Sequence, residues 1–150
     1  MKKMTEEEIR DFIGEWTWGT IIAVDGDKPY AIEVSYGSDG KHMYFGSRPN
    51  GKMAKCIKKN QNIIFKLCEA GKFYATWRAV SVFGKVERLM KREDILYGMK
   101  MIAKKLKYTT KRTGRTEEQL EAIGEMLAAN PEKGGPLRID IESFSGVTSP

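Results

Sequence analysis

The sequence predicts a mainly β domain of the α+β class, with about six antiparallel strands and a helical insertion before the last one. Three observations carry this. Short runs alternate apolar and polar residues with the period of a strand, clearest in "PYAIEVSY", where Tyr30, Ile32, Val34 and Tyr36 alternate with Ala31, Glu33 and Ser35. Clusters of Asp, Gly, Ser and Pro separate these runs by only a few residues, so consecutive strands should pair antiparallel. Helical spacing is concentrated after Gly51 and between Arg92 and Ala129. Strands of this number and order commonly close into a small barrel, because closure removes exposed edges. An open α+β sheet is the alternative.

Each element has a local reason. Thr5 with Glu8 forms a capping box, which predicts a short helix with Ile9, Phe12 and Ile13 on one face and an end near Gly14. Trp18 to Val24 reads as a strand closed by Asp25-Gly26-Asp27, and Pro29 opens the next. After the turn Ser38-Asp39-Gly40, His42 to Phe45 returns as a strand. Met53, Ala54 and Ile57 share one helical face, with lysines at 52, 55, 58 and 59, and Asn60 or Asn62 ends that helix. Asn62 to Leu67 is a strand, and Phe73 to Leu89 a long β-rich run in which Gly84 marks a bulge or bend. Arg92 to Lys107 is helical and basic. Thr116 with Gln119 is a second capping box, opening a helix through Ala129. "LRIDIESF", from Leu137 to Phe144, is the last strand.

The chain has 150 residues, one domain's worth, and a net charge of +6. A domain of this size buries roughly 70% of its unfolded surface, so it needs no disulfide framework. Cys56 and Cys68 are too few for one, and free thiols fit a reducing, cytoplasmic setting. "MKKMTEEE" turns acidic at once and does not read as a signal peptide. No apolar run approaches the ~20 residues of a membrane span.

The stretch "YFGSRPNGKMAKCIKKN" raises a chemical question. Gly46, Gly51 and Lys52 match all but the last position of a triphosphate-binding loop. That last position, which must hold Mg²⁺ with a hydroxyl, is Met53, and the preceding strand comes from a hairpin rather than a parallel sheet. A nucleoside triphosphatase is therefore not expected. A single phosphate without metal fits better. Gly51 allows close backbone approach, the helix start offers free N–H groups, Ser47 a hydroxyl, and Lys52 with Arg48 positive charge. A turn followed by a solvated, lysine-rich helix needs none of this and stands beside it on the residues alone.

Other constellations are weaker. His42, the sole histidine, lies beside Lys41 and reads as an exposed strand residue. Cys56 reads as a helix-packing cysteine, and one His with two Cys does not suggest zinc. Trp16, Trp18 and Trp77 read as core or interface residues. The basic segment from Lys100 to Arg115 reads as a solvated helix face, with nucleic-acid binding as the rival.

The order of segments adds to this. Pro29-Tyr30 opens a strand, and an aromatic strand end runs into Ser47 and then Gly51-Lys52 at a helix start. Asn60-x-x-Ile-x-Phe and Ser81-Val-x-Gly follow, and a late strand ends in Gly146. This order resembles the FMN-binding split-barrel superfamily typified by pyridoxamine 5'-phosphate oxidase, in particular its nitroimidazole-reductase-type and flavin-nucleotide-binding branch. The resemblance covers roughly residues 18 to 89 and 137 to 146. It implies one split-barrel domain over residues 1–150 and a homodimer with FMN between the subunits. By the same resemblance Ile32, Glu33, Val34 and Ser35 line the flavin ring, with Phe45 and Gly46 near it. Ser47, Gly51 and Lys52 hold the phosphate, and Arg78 and Ser81 approach from a neighbouring strand. Flavin would carry electrons from NAD(P)H to a small flat acceptor such as a quinone or nitroaromatic; the alternatives are a flavin carrier and a small basic barrel that binds nucleic acid. The chain departs from nitroimidazole reductases at Gly46, usually His, and at Ser145-Gly146-Val147, where Thr-Gly-Lys is expected.

Overall fold

A computed structural model describes residues 1–105 and 116–150. The elements run β1 (Lys2–Lys3), α1 (Glu6–Glu15), β2 (Trp18–Asp25), β3 (Lys28–Ser35), β4 (Gly37–Ser38), β5 (His42–Ser47), α2 (Lys52–Lys59), β6 (Asn62–Ala70), β7 (Trp77–Arg88), α3 (Arg92–Lys105), α4 (Glu117–Ala129) and β8 (Gly135–Thr148). The strands form one antiparallel sheet in the order β3-β2-β6-β7-β8-β5-β4, with β1 on β8. The six long strands are those the sequence predicts; β1 and β4 have two residues each, too short to show a period. The sheet curls until β3 comes close to β5, and no hydrogen-bonded ladder joins them. The result is a split barrel with a seam between β3 and β5.

The inner face holds the core. Ile21, Phe65, Leu67, Val80, Val82 and Ile139 are fully buried there. Helix α1 closes one end with Ile9, Phe12 and Ile13, and α2 closes the other with Met53, Cys56 and Ile57. Tyr44 points away from this core and joins Leu89 and Ile95 in a smaller cluster, through which α3 covers the outer side of β5. The outer side of β2, β6 and β7 is bare: Trp18 is 48% exposed and Phe83 39%.

Local signals explain most boundaries. Both capping boxes are present, Thr5 with Glu8 and Thr116 with Gln119. The register of β7 on β8 shifts between Phe83 and Gly84, which is the bend expected there. One expectation is corrected. Phe73 and Tyr74 do not begin the long strand, which starts at Trp77. They sit in a tight turn, each with φ of 58°, and are 87% and 77% exposed. The last two residues of the helix expected to reach Lys107, and the basic segment beyond Lys105 as far as Arg115, lie outside the described residues.

Lys105 Nζ donates to the carbonyl of Ile13 at 3.0 Å and lies 4.6 Å from the centre of the Tyr36 ring. No carboxylate balances it among the described residues, and burial pulls its pKa down to about 8 from 10.5. Between these values the unfolded chain holds the proton that the folded chain has lost. This group therefore adds stability as pH rises from about 8 to 10.5 and penalises folding at lower pH. Unfolding curves of the wild type minus those of Lys105→Met should rise across that window, and a flat difference would refute the assignment.

Candidate functional site

Helix α2 begins without a side-chain cap. Gly51 takes the capping position in extended backbone, and its N–H donates to the carbonyl of Arg48 at 3.1 Å. The first intrahelical bond runs from Lys55 N–H to Gly51 O, so the amides of Lys52, Met53 and Ala54 precede it. Helices α1 and α4 are sealed by capping boxes, whereas this start is open. Lys52 stands beside it, its Nζ 3.3 Å from Asp25 and 4.6 Å from the centre of the Tyr30 ring. Both partners come from the β2–β3 hairpin, which therefore aims the ammonium. Neither was read from the sequence as a partner of Lys52, because the contact depends on how the helix sits on the hairpin.

The seam residues divide by the pleat. Ile32 and Val34 face inward and are half-buried, while Glu33 and Ser35 face outward and are exposed. Strand β3 pairs only with β2, so its other edge offers unpaired backbone groups. Across the seam, Phe45 is fully buried among core side chains, so only its backbone can face a ligand. Gly46 is exposed, and a Cβ there would meet nothing within 4 Å, which leaves open space at the position where the resembling reductases usually carry His. Ser47, at the end of β5, donates to the carbonyl of Arg48 at 3.3 Å. The structure thus brings Ile32 to Ser35, Gly46, Ser47, Gly51 and Lys52 to one seam and the helix start at its end.

Ser81 lies on the bare outer face, accepting a hydrogen bond from Lys66 Nζ at 2.7 Å. Lys66 is opposite Thr20, and Thr20 donates to Glu33 at 2.7 Å. A polar row therefore crosses four strands from Glu33 to Ser81 and continues to Ser145, opposite Ser81. Thr20 and Lys66 escaped the sequence reading; the available signal was a lone charge inside the apolar run "NIIFKL".

Arg78 is not brought to this group within one subunit. It lies over the Phe12 ring at 4.0 Å and pairs with Glu15 and Glu69, whose charges raise its pKa although burial opposes them. Following the registers of β2, β6 and β7, Arg78 sits level with residue 17 and Lys52 with residue 25, roughly 25 Å apart along the strands. A single phosphate cannot touch both.

His42 is not the exposed residue the sequence suggested. It is half-buried, with Nδ1 3.8 Å from Asp39 and Nε2 3.4 Å from Asp140. Asp39 also accepts from Tyr97 at 2.9 Å and from the backbone amides of Lys41 and His42, and these bonds hold its carboxyl below its ordinary pKa against the effect of burial. The cluster ties α3 to the sheet.

No curated protein matches the chain by sequence alone. The fold is shared with solved structures of low identity. A FAD-binding protein from Mesorhizobium loti is 20% identical, covers 99% of this chain and 98% of its own, and has a TM-score of 0.75. An FAD and heme binding protein from Mycobacterium smegmatis is 14% identical, with 99% and 74% covered and a TM-score of 0.71. A structure from Bacteroides thetaiotaomicron, proposed to be a 5-nitroimidazole antibiotic resistance protein, is 14% identical, with 97% and 86% covered and a TM-score of 0.69. The family model described as pyridoxamine 5'-phosphate oxidase matches residues 5–146, nearly the whole split barrel from α1 into β8. The chain belongs to the pyridoxamine 5'-phosphate oxidase family.

Proposed function

We propose that this protein is an FMN-dependent oxidoreductase that works as a homodimer. The observation that carries the reading is the open start of α2, with Gly51 and the hairpin-held Lys52, at the end of the seam. Its donors suit one phosphate: the first amides of the helix, the hydroxyl of Ser47 and the ammonium of Lys52. The ring would lie along the free edge of β3, against the backbone of Ile32 to Ser35, with Gly46 leaving room across the seam. The fold neighbours that bind FAD support flavin as the cofactor. These donors suit the single phosphate of FMN.

When bound, flavin supplies the hydride and electron transfer. The protein's own residues hold the phosphate, orient the ring and set the charge around it. The bare face of β2, β6 and β7, with Trp18 and Phe83 exposed and the row from Glu33 to Ser81, would meet a second copy, so that the ring lies between subunits. The acceptor is proposed to be a small flat molecule such as a quinone or nitroaromatic, with NAD(P)H as donor. Purified protein should be yellow, and mass analysis of the released ligand should give FMN. Oxidation of NADH or NADPH that accelerates with an added quinone marks an enzyme; flavin bound without turnover marks a carrier. Dimer and cofactor should be coupled, and sedimentation of a monomer that holds FMN tightly would contradict the intersubunit site.

A further inference from the structure

A second cleft of about 690 Å³ lies on the other side of α2, between that helix and the ends of β7 and β8. This is the size of a small-ligand site. Its accessible apolar surface comes from Ala54 on α2 and from Met90 at the rim, 51% exposed, backed by the buried core side chains of Ile57, Val86 and Leu137. Pro49 and Asn50, from the loop that leads to Gly51, form one side, so the cleft backs onto the proposed phosphate site without sharing Lys52.

Arg88 lines this cleft. Its Nη1 donates to the carbonyl of Gly135 at 3.2 Å, while Nη2 is shielded from solvent and meets no acceptor among the described residues. Burial pulls the pKa of this guanidinium down. A buried charged donor without a partner is costly, and such groups are ordinarily satisfied by something that enters with an acceptor. Two carboxylates also line the cleft. Glu87 is taken up by Arg138, which leaves Glu132 as the free carboxylate in a lining that also holds Lys58 and Arg88. The cations therefore exceed the free carboxylates by one, which suits a ligand of low charge and opposes a polyphosphate.

We propose that this cleft is a second ligand site, which takes the phosphate or carboxylate of a small organic anion on Arg88 and its flat body against Ala54 and Met90. Guanidinium geometry suits a planar or tetrahedral anion, since two parallel N–H bonds can form; the shielded Nη2, the donor lacking an acceptor, would reach the anion by a turn of the Arg88 side chain toward the cleft. Glu132 would accept from a hydroxyl or amino group on the ligand. The site is independent of the flavin proposal, because none of its chemistry passes through the seam.

AMP is a suitable probe, with adenosine as its uncharged counterpart. In calorimetric titrations of the full chain saturated with FMN, AMP should bind one site per chain and adenosine at least about tenfold more weakly. Arg88→Met should weaken AMP by about tenfold or more and leave FMN affinity unchanged. Should that buried substitution impair folding, Met90→Glu at the exposed rim should repel AMP to a similar extent. The proposal is overturned if AMP shows no binding up to roughly millimolar concentration, or if both variants bind it as the wild type does. Loss of AMP binding in Lys52→Ala, with displacement of FMN, would also overturn it, since AMP would then be occupying the seam. A chain that binds no flavin is titrated without FMN, and the Arg88 comparison decides as before.

Discussion

Gly84→Val is expected to destabilise the protein by roughly 3 kcal/mol or more, or to yield no soluble protein. A Cβ at this position would lie 2.2 Å from the carbonyl oxygen of Asp140, a backbone atom held in the β7–β8 ladder. Flexible side chains can yield to such a clash, but a hydrogen-bonded strand can do so only by shifting its register. The ladder already shifts between Phe83 and Gly84, and that shift lets one long strand serve two surroundings. On one side of it, Val80 and Val82 line the core and Ser81 joins the bare outer face; beyond it, Val86 to Arg88 reach the second cleft. Valine there would disturb both ends at once. Gly46→Ala is the control, since a Cβ at Gly46 meets nothing within 4 Å, and its stability should stay within about 0.5 kcal/mol of the wild type. Urea unfolding of the two variants gives the comparison. A Gly84→Val protein as stable as Gly46→Ala would mean that the two strands do not approach this closely in solution.

Gly84 also shows what kind of information the sequence carries. A glycine inside a β-branched, aromatic run has a local meaning, and the bend was legible from it. Both capping boxes were legible for the same reason, since cap and partner are three residues apart. Phe73 and Tyr74 were misread because aromatic residues favour strands, while the turn between β6 and β7 places both at positive φ, where neither residue type is common. Contacts across strands were not legible. Nothing in the order of residues puts Thr20 between Glu33 and Lys66, or Asp25 under Lys52; the registers of β2 on its neighbours and the seating of α2 do that. The same limit explains Arg78, close to Ser81 in sequence but on the opposite face of the strand and held at the far end by Glu15 and Glu69. The residues from Ile32 to Lys52 were grouped through a resemblance; in the fold they are spread along the seam, with Ser35 opposite Trp18 and Lys52 at the Asp25 end.

Lys52→Ala is expected to weaken FMN binding by roughly 1.5–3 kcal/mol, about ten- to 150-fold, the scale of a hydrogen bond between charged groups. The present partner of Lys52 is no obstacle to this role. The Lys52 and Asp25 side chains are 57% and 47% exposed, and an ion pair in such surroundings contributes only about 0.2–1 kcal/mol. A phosphate at the start of α2 would meet the ammonium together with the helix amides, so the lysine gains more there than it gives up at Asp25. Asp25 then acts as a competitor, while the Tyr30 ring steadies the lysine without neutralising it. Asp25→Asn should therefore tighten FMN slightly, by up to about 1 kcal/mol, and the gain should shrink as salt rises. Flavin-fluorescence titrations of both variants at low and moderate ionic strength read these opposite signs directly. If Lys52→Ala and the wild type hold FMN equally, the phosphate rests elsewhere; if Asp25→Asn weakens FMN, the hairpin carboxylate orients the lysine toward the phosphate instead of competing for it.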